Sequence, residues 1–181
     1  MLRLCIFVLC GMCLSHLVHA EQVESIKGAK TVDAFEALNL FEQGATFIDV
    51  RDEFEYQLGH IRSAVHLDLK REFNDLYLIE TLDRNIPIVI YCNSAQCYRS
   101  AVATFLAVAW GYDNVHYFKD GYFTWLALDL PVIMNNSQDD VAAFEEPDSH
   151  WRASMVEALE AVNLAKANNQ LQQPIIEIMT Q

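Results

Sequence analysis

Residues 88–100 of this 181-residue chain read Ile-Val-Ile-Tyr-Cys-Asn-Ser-Ala-Gln-Cys-Tyr-Arg-Ser. The first four residues follow Pro87 and are uninterrupted by polar residues, which predicts a strand buried on both faces. A polar loop comes next, and residues 100–110 form an Ala-, Val- and Leu-rich helical run that ends at Gly111. Cys92 is therefore predicted to lie at the carboxyl end of a central strand, where a loop leads into a helix.

Short β-type runs alternate with helical runs along much of the chain. The β-type runs are residues 46–50, 64–67 and 115–118, and the helical runs are residues 34–41, 52–58, 73–82 and 122–128. Thr31 is the predicted N-cap of the first of these helices. Such alternation predicts an α/β fold, with a parallel sheet of about five strands flanked by helices on both faces. Ligands in such sheets bind at the carboxyl ends of the strands, where Cys92 is expected.

The first twenty residues have the layout of a secretory signal peptide. Arg3 precedes an apolar run over residues 4–18, and Val18-His19-Ala20 fits the small-x-small pattern of a cleavage site. The apolar run is short for a membrane span. We therefore expect cleavage after Ala20, a periplasmic or secreted protein, and no membrane association after cleavage.

The chain beyond Pro131 differs from the alternating segment. Residues 135–140 are polar and linker-like. Asp148 or Ser149 is expected to cap a helix whose apolar stripe consists of Trp151, Met155, Leu159 and Val162. The sequence therefore predicts three parts, namely a signal peptide (1–20), a single domain (21–134), and a polar linker with a C-terminal helical extension (135–181).

Charge and histidine spacing exclude several classes of ligand. The formal net charge is −13, which argues against nucleic acid and anionic lipid as partners, because both are negatively charged. His66, His116 and His150 are scattered without the spacing of zinc ligands. We therefore expect no metal site and no cofactor.

The cysteines are concentrated where chemistry is expected. Three of the five lie in the first twenty residues, so the predicted mature chain keeps only Cys92 and Cys97. A disulfide-stapled secreted scaffold would show several cysteines spread along the chain. A loop in front of a helix N-terminus points backbone N–H groups at Cys92, which favours the nucleophilic thiolate. Arg99 adds a positive charge suited to a sulfonate or a similar oxyanion.

Residues 31–132 resemble a rhodanese domain in the order and spacing of their motifs. The matching motifs are Ile48-Asp49-Val50-Arg51 with Glu55 and Gly59-His60-Ile61, the strand and loop of residues 88–100, and Gly111-Tyr112, Asn114-Val115, Gly121 and Trp125. Two features depart from the family's pattern. Six residues, where the family usually has four, separate Cys92 from Arg99, and Asp120 replaces the first glycine of a Gly-Gly pair.

The resemblance implies a single rhodanese-like domain with sulfurtransferase activity. A Cys92 thiolate would take the outer sulfur of a donor, become a persulfide, and pass that sulfur to a thiol or cyanide. The residues expected to bind substrate are Asn93, Ser94, Ala95, Gln96, Tyr98, Arg99 and Ser100. The residues expected to be structural beside the site are Asp49, Arg51, Glu55 and His60. The implied partners are a small sulfur-containing anion or a thiol or persulfide, with a protein thiol as a further candidate.

Cys97 has three interpretations. It resolves a Cys92 persulfide by forming an intramolecular disulfide, it accepts the sulfur itself, or it forms a plain structural disulfide with Cys92. Other functional classes stay open beside the sulfurtransferase. They are a catalytically silent binding module with a Cys92–Cys97 disulfide, a thiol–disulfide redox protein and, ranked last, a phosphate-ester hydrolase, whose loop has five residues between cysteine and arginine.

Overall fold

The computed structural model describes residues 22–134 and 149–168, which contain seven strands and six helices. The strands are β1 (Lys30–Val32), β2 (Thr46–Asp49), β3 (Gly59–Ile61), β4 (Val65–His66), β5 (Ile88–Tyr91), β6 (Val115–Phe118) and β7 (Val132–Met134). The helices are α1 (Ala34–Glu42), α2 (Glu53–Leu58), α3 (Asp75–Leu78), α4 (Tyr98–Ala109), α5 (Gly121–Ala127) and α6 (His150–Ala167). The predicted signal peptide and the predicted linker, up to residue 148, lie outside the described residues. In the described parts of the chain, no helix combines the length and the apolar character that crossing a membrane requires.

Five of the strands form one parallel sheet in the order β1-β6-β5-β2-β4. β5 lies at its centre, where Ile88 pairs with Thr46 on one side and with Val115 on the other. All four residues of β5 are buried, because helices cover both faces of a strand in this position. The sheet confirms the predicted α/β fold. β3 and β7 form a separate antiparallel pair.

The helices create two hydrophobic cores, one on each face of the sheet. Successive side chains of a strand point to opposite faces, so Ile88 and Ile90 enter one core while Val89 and Tyr91 enter the other. The first core is packed by α3, α4 and α6. The second is closed by α1 and α5, with Trp125 fully buried at its centre. The carboxyl end of β5 is thereby held between two packed layers.

The first helix begins later than the sequence analysis predicts. Thr31 is wrong as its N-cap, because Thr31 belongs to β1 and pairs with Tyr117 of β6. Asp33 caps α1 instead, and its carboxylate accepts hydrogen bonds from the backbone N–H groups of Phe35 and Glu36 (2.9 Å each). The Glu36 carboxylate accepts from the N–H of Asp33 in return (3.2 Å). β1 was not predicted, because three residues are too few to show an alternating pattern.

The apolar spacing over residues 73–82 predicts one helix, but only Asp75–Leu78 is helical. The reason lies in Arg84, whose guanidinium donates to the carbonyls of Leu76 (2.9 Å) and Ile79 (2.6 Å). These carbonyls have a partner outside the helix, so the backbone is satisfied without further helical hydrogen bonds. The four apolar side chains at helical spacing are nevertheless buried, as the pattern indicates, namely Phe73, Leu76, Ile79 and Leu82.

The C-terminal helix α6 packs against the first core. Met155, Leu159 and Val162, three members of the predicted stripe, are buried there. Ser149 caps the helix, since its hydroxyl oxygen accepts from the N–H of Arg152 (3.1 Å). The same hydroxyl donates to the carbonyl of Gly44 (2.5 Å), which fixes the start of α6 beside the end of α1.

The variant Met155→Ala is expected to lower the free energy of unfolding by about 2–5 kcal/mol, because it leaves a cavity in a packed core. Leu164→Ala, on the same helix, is the matched control. Leu164 is 65% exposed, so its truncation is expected to change stability by less than about 0.5 kcal/mol. Urea denaturation of both variants measures the difference. Equal losses would contradict the packing of α6 on the domain.

Candidate active site

The loop that follows β5 is positioned by a buried arginine, Arg51. Arg51 is 2% exposed, and its guanidinium donates to the Asp49 carboxylate through Nε (3.0 Å) and Nη2 (2.7 Å). Burial lowers the pKa of Arg51, but the hydrogen bond and the charge of Asp49 outweigh that effect and raise it overall. The guanidinium carbon also lies 4.3 Å from the centre of the Tyr122 ring. Arg51 and Asp49 therefore form a buried, bidentate salt bridge.

Arg51 connects the end of β2 to two other segments. Its Nη2 also donates to the carbonyl of Gly59 (2.7 Å), where α2 ends, and its Nη1 donates to Oδ1 of Asn93 (3.2 Å). Asn93 in turn donates through Nδ2 to Glu55. Three of the four residues predicted to be structural beside the site, Asp49, Arg51 and Glu55, thus belong to one hydrogen-bonded network, which fixes the backbone directly after Cys92.

Arg99, which the sequence analysis assigns to an oxyanion, is paired with two carboxylates. Its Nη2 lies 2.5 Å from Oε2 of Glu55, and its Nη1 lies 3.4 Å from Oδ2 of Asp52. The backbone N–H of Glu55, together with Arg99, holds the pKa of Asp52 below its usual range. Asp52 is a residue of this network that the sequence analysis did not place at the site. Its signal is the spacing Asp52-x-x-Glu55, typical of a helix N-terminus.

Cys92 and Cys97 form a disulfide across the loop, with their Cα atoms 6.2 Å apart. The loop turns back on itself through a hydrogen bond from the N–H of Cys97 to the carbonyl of Ser94 (2.9 Å). Cys92 is 1% exposed, whereas Cys97 is only partly buried. The longer loop therefore places the sulfur of Cys97 within bonding distance of the sulfur of Cys92. Cys97 is the more accessible of the two residues.

Cys97 also occupies the N-cap position of α4, and its side chain makes no capping hydrogen bond. The first turn of a helix has backbone N–H groups without intrahelical partners, and its end carries the positive pole of the helix dipole. Both effects favour a negative charge on a sulfur at this position. When the disulfide is opened, the helix end therefore favours a thiolate in the loop.

The amino end of α5 holds the carbonyl of Cys92. The N–H of Tyr122 donates to this carbonyl (2.8 Å). Gly121 has φ +66°, and a Cβ at this position would lie 2.4 Å from the Cys92 carbonyl oxygen, so a larger residue requires the loop to move. Asp120, in contrast, has φ −69°, a value that any residue adopts. The departure from the family's Gly-Gly pair is therefore sterically harmless.

The remaining loop residues differ in exposure. Ser94 donates through Oγ to Oε1 of Gln96 (2.8 Å), and Ala95 between them is partly buried. Ser100 is buried in the first turn of α4. Tyr98 is 53% exposed beside the disulfide. The rim of the loop therefore offers an aromatic surface next to its polar turn.

His60 lies in an aromatic stack behind the network. Its ring stacks on Tyr56 with 3.9 Å between centroids, and its Nδ1 lies 3.1 Å from the Tyr56 carbonyl. Burial lowers the pKa of His60, which favours the neutral ring. His66 stacks on the same tyrosine (4.3 Å), and its Nε2 lies 2.9 Å from the carbonyl of Arg51. His66 is a contact of the network that the sequence analysis missed, because no motif marks it.

Within the residues that the structure describes, no three His, Cys, Asp or Glu side chains form a group that could hold a metal ion. The expectation that the protein has no metal and no cofactor stays a prediction.

Comparison with known proteins places these features in a family. The family described as "Rhodanese-like domain" matches residues 33–128, more than half of the chain. A thiosulfate sulfurtransferase GlpE from Haemophilus influenzae (strain PittEE) is 33% identical over 103 residues, which are 57% of this chain and 93% of that protein. A protein of the same name from Pseudomonas fluorescens (strain SBW25) is 31% identical over 96 residues, 53% of this chain and 84% of that protein.

Solved structures share the fold. The solution structure of a rhodanese-like domain from Anabaena sp. has a TM-score of 0.52 at 23% identity, covering 64% of this chain and 87% of that one. The polysulfide-sulfur transferase homodimer from Wolinella succinogenes has a TM-score of 0.50 at 24% identity, covering 62% and 83%. At this level of identity the likeness shows the fold alone.

The variant Arg51→Met is expected to lower the free energy of unfolding by about 3–5 kcal/mol, because it leaves the Asp49 charge buried without a partner. Arg51→Lys is expected to recover only part of this loss, since an ammonium lacks the planar set of donors. Lys30→Met is the control, because the Lys30–Glu36 ion pair is exposed and exposed ion pairs contribute little to stability. Urea denaturation measures all three. Similar losses at positions 51 and 30 would contradict the structural role of Arg51.

The variant Gly121→Ala is expected to destabilise the protein more than Gly111→Ala does. Both glycines have positive φ (+66° and +88°), so each substitution carries a backbone cost of about 1–2 kcal/mol. Only position 121 adds a clash, because a Cβ at position 111 meets nothing within 4 Å. Urea denaturation compares the two variants. An equal loss would show that α5 does not approach the loop as closely as the structure indicates.

Proposed function

This chain belongs to the rhodanese-like domain family, and from that premise we propose that it is a sulfurtransferase whose sulfur carrier is the reduced Cys92. The observation that carries the proposal is the position of Cys92. It lies directly after the central strand β5, its carbonyl is held by α5, and the N-terminus of α4 lies across the loop. Ligands of parallel sheets bind at this edge. The relatives named thiosulfate sulfurtransferase support the class of activity.

The proposed reaction has two displacement steps. The Cys92 thiolate attacks the sulfane sulfur of a donor, the sulfur–sulfur bond of the donor breaks, and the rest of the donor leaves with the bonding electrons. A thiolate or cyanide then attacks the outer sulfur of the Cys92 persulfide and restores the Cys92 thiolate. The disulfide must be reduced before the first step, because Cys97 is bonded to the sulfur that must act as the nucleophile.

The charges around the loop bear on which donors the site accepts. Backbone N–H groups at the N-terminus of α4 and the guanidinium of Arg99 stabilise a negative sulfur or a leaving anion. Arg99, however, shares its charge with Glu55 and Asp52. A thiosulfate dianion is therefore bound less favourably here than it would be by an arginine without carboxylate partners. A persulfide donor, which carries a single charge on its terminal sulfur, fits the site with less cost.

We place the protein in the periplasm or outside the cell. The basic start, apolar run and small-x-small ending of residues 1–20 support this proposal. A cysteine pair that forms a disulfide also fits an oxidising compartment. A protein thiol as sulfur acceptor is part of the proposal, and the exposed aromatic rings of Tyr98 and Phe123 beside the loop support it. The backbone N–H of Phe123 donates to the carbonyl of Asn93 (3.0 Å), which holds this residue next to the loop.

A second candidate is a catalytically silent binding module. The observation that favours it is the disulfide, in which the sulfur of Cys92, the residue directly after β5, is already bonded. In this interpretation the bond is permanent and closes the loop, and the surface around it binds a partner. The same experiment separates the two candidates.

The experiment uses a chain whose Cys5, Cys10 and Cys13 are replaced by serine, so that Cys92 and Cys97 are the only thiols. The protein is reduced, freed of reductant, treated with thiosulfate or with a small thiol persulfide (R–S–SH), and its intact mass is recorded. In the Cys97→Ser background we expect a gain of about 32 Da, one sulfur atom, on the remaining loop thiolate.

The matched control is Cys92→Ser, which is expected to show no gain. A gain in Cys92→Ser with none in Cys97→Ser would assign the carrier role to Cys97. No gain in either variant with either donor would overturn the sulfurtransferase proposal and favour the binding module.

A further inference from the structure

The disulfide shows which atom Cys97 reaches. Its sulfur is bonded to Sγ of Cys92, the atom that would be the inner sulfur of a Cys92 persulfide. The turn that brings it there is closed by the hydrogen bond from Cys97 N–H to the Ser94 carbonyl (2.9 Å), within the loop itself. A persulfide formed on Cys92 would therefore have a second thiol of the same chain within reach of its inner sulfur.

Cys97 also has the surroundings of a nucleophile. It is the N-cap residue of α4, where the positive end of the helix dipole favours a thiolate. It is more exposed than Cys92, so an external reagent reaches its sulfur first. A cysteine whose role is only to form a structural disulfide would need neither the N-cap position nor this exposure.

We propose that Cys97 resolves the Cys92 persulfide, so that the protein reduces the sulfane sulfur of its donor to hydrosulfide. This inference rests on the proposed sulfur-carrier role of Cys92 and adds a reductive outcome to it. The Cys97 thiolate attacks the inner sulfur, Sγ of Cys92. The Cys92–Cys97 disulfide forms, the bond to the outer sulfur breaks, and that sulfur leaves with the electron pair and its proton as hydrosulfide. The disulfide of the structure is then the product of the turnover.

The cycle is completed by an external dithiol. One thiolate of the dithiol attacks the more accessible Cys97 sulfur and expels the Cys92 thiolate. The second thiol of the reagent then closes its own disulfide and releases Cys97. With thiosulfate as donor, the atoms balance as thiosulfate plus dithiol giving sulfite, hydrosulfide, the oxidised dithiol and one proton. The dithiol supplies both electrons, and the protein returns to its reduced state.

The competing interpretation is a relay. If the Cys97 thiolate attacked the outer sulfur instead, the persulfide would move to Cys97 and the Cys92 thiolate would leave. That step forms no disulfide and releases no hydrosulfide. The two interpretations therefore predict different products from the same reduced protein.

The test is a single turnover without external thiol, in the chain whose Cys5, Cys10 and Cys13 are replaced by serine. The reduced protein receives excess thiosulfate, and hydrosulfide is trapped with monobromobimane while the protein mass is recorded. We expect about one hydrosulfide per chain and a product about 2 Da lighter than the reduced protein, as loss of two hydrogens requires. A digest should locate the new bond between Cys92 and Cys97. The rate should not depend on protein concentration, since the step is intramolecular.

One variant and one addition of reductant complete the test. Cys97→Ser is expected to keep the additional sulfur and to release at least about tenfold less hydrosulfide, because it lacks the resolving thiolate. Addition of dithiothreitol should give repeated turnover in the unsubstituted loop. An unsubstituted loop that retains the persulfide and releases no hydrosulfide would overturn this inference and leave the sulfurtransferase proposal intact. Absence of persulfide from Cys97→Ser with both thiosulfate and the thiol persulfide, together with absence of hydrosulfide from the unsubstituted loop, would overturn the sulfurtransferase proposal itself.

Discussion

The buried pairing of Arg51 with Asp49 is the constraint on which the site depends. Asp49 is the last residue of β2 and is fully buried, and a carboxylate in such a place costs several kcal/mol unless a cation accompanies it. Arg51 meets this requirement and uses its remaining donors on Gly59 and Asn93. A single side chain thus connects the end of β2, the end of α2 and the start of the loop that follows β5. The position of Cys92 follows from that connection.

The network continues outward with alternating charge. The order from the interior is Asp49, Arg51, Asn93, Glu55, Arg99 and Asp52. Each cation has a carboxylate partner, so these side chains together add little net positive charge beside the loop. The loop also has no glycine. The loop is closed by the turn from Ser94 to Cys97 and by the disulfide. The backbone of α5 can approach the Cys92 carbonyl because Gly121 has no side chain.

The parts of the fold that depend on continuous patterns could be predicted from the sequence. The apolar run of residues 88–91 is strand β5, and the stripe of α6 lies in the core. The parts that depend on distant partners could not be predicted. Arg84 ends α3 early by bonding carbonyls five and eight residues away, and β1 is a strand only because β6 lies beside it. The pairing of Arg99 with Glu55, 44 residues away, is of the same kind, because no local pattern shows which charges will meet.

Helix α6 lies beyond the segment that matches the family, residues 33–128, yet Met155, Leu159 and Val162 complete the first core. The hydrophobic core of this chain therefore extends beyond its family segment. A chain that ended at Met134 would leave apolar side chains of α3 and of the segment around Leu82 and Ile86 uncovered. Exposed patches of this kind promote self-association. In this protein the C-terminal helix thus covers an apolar surface that lies away from the candidate active site.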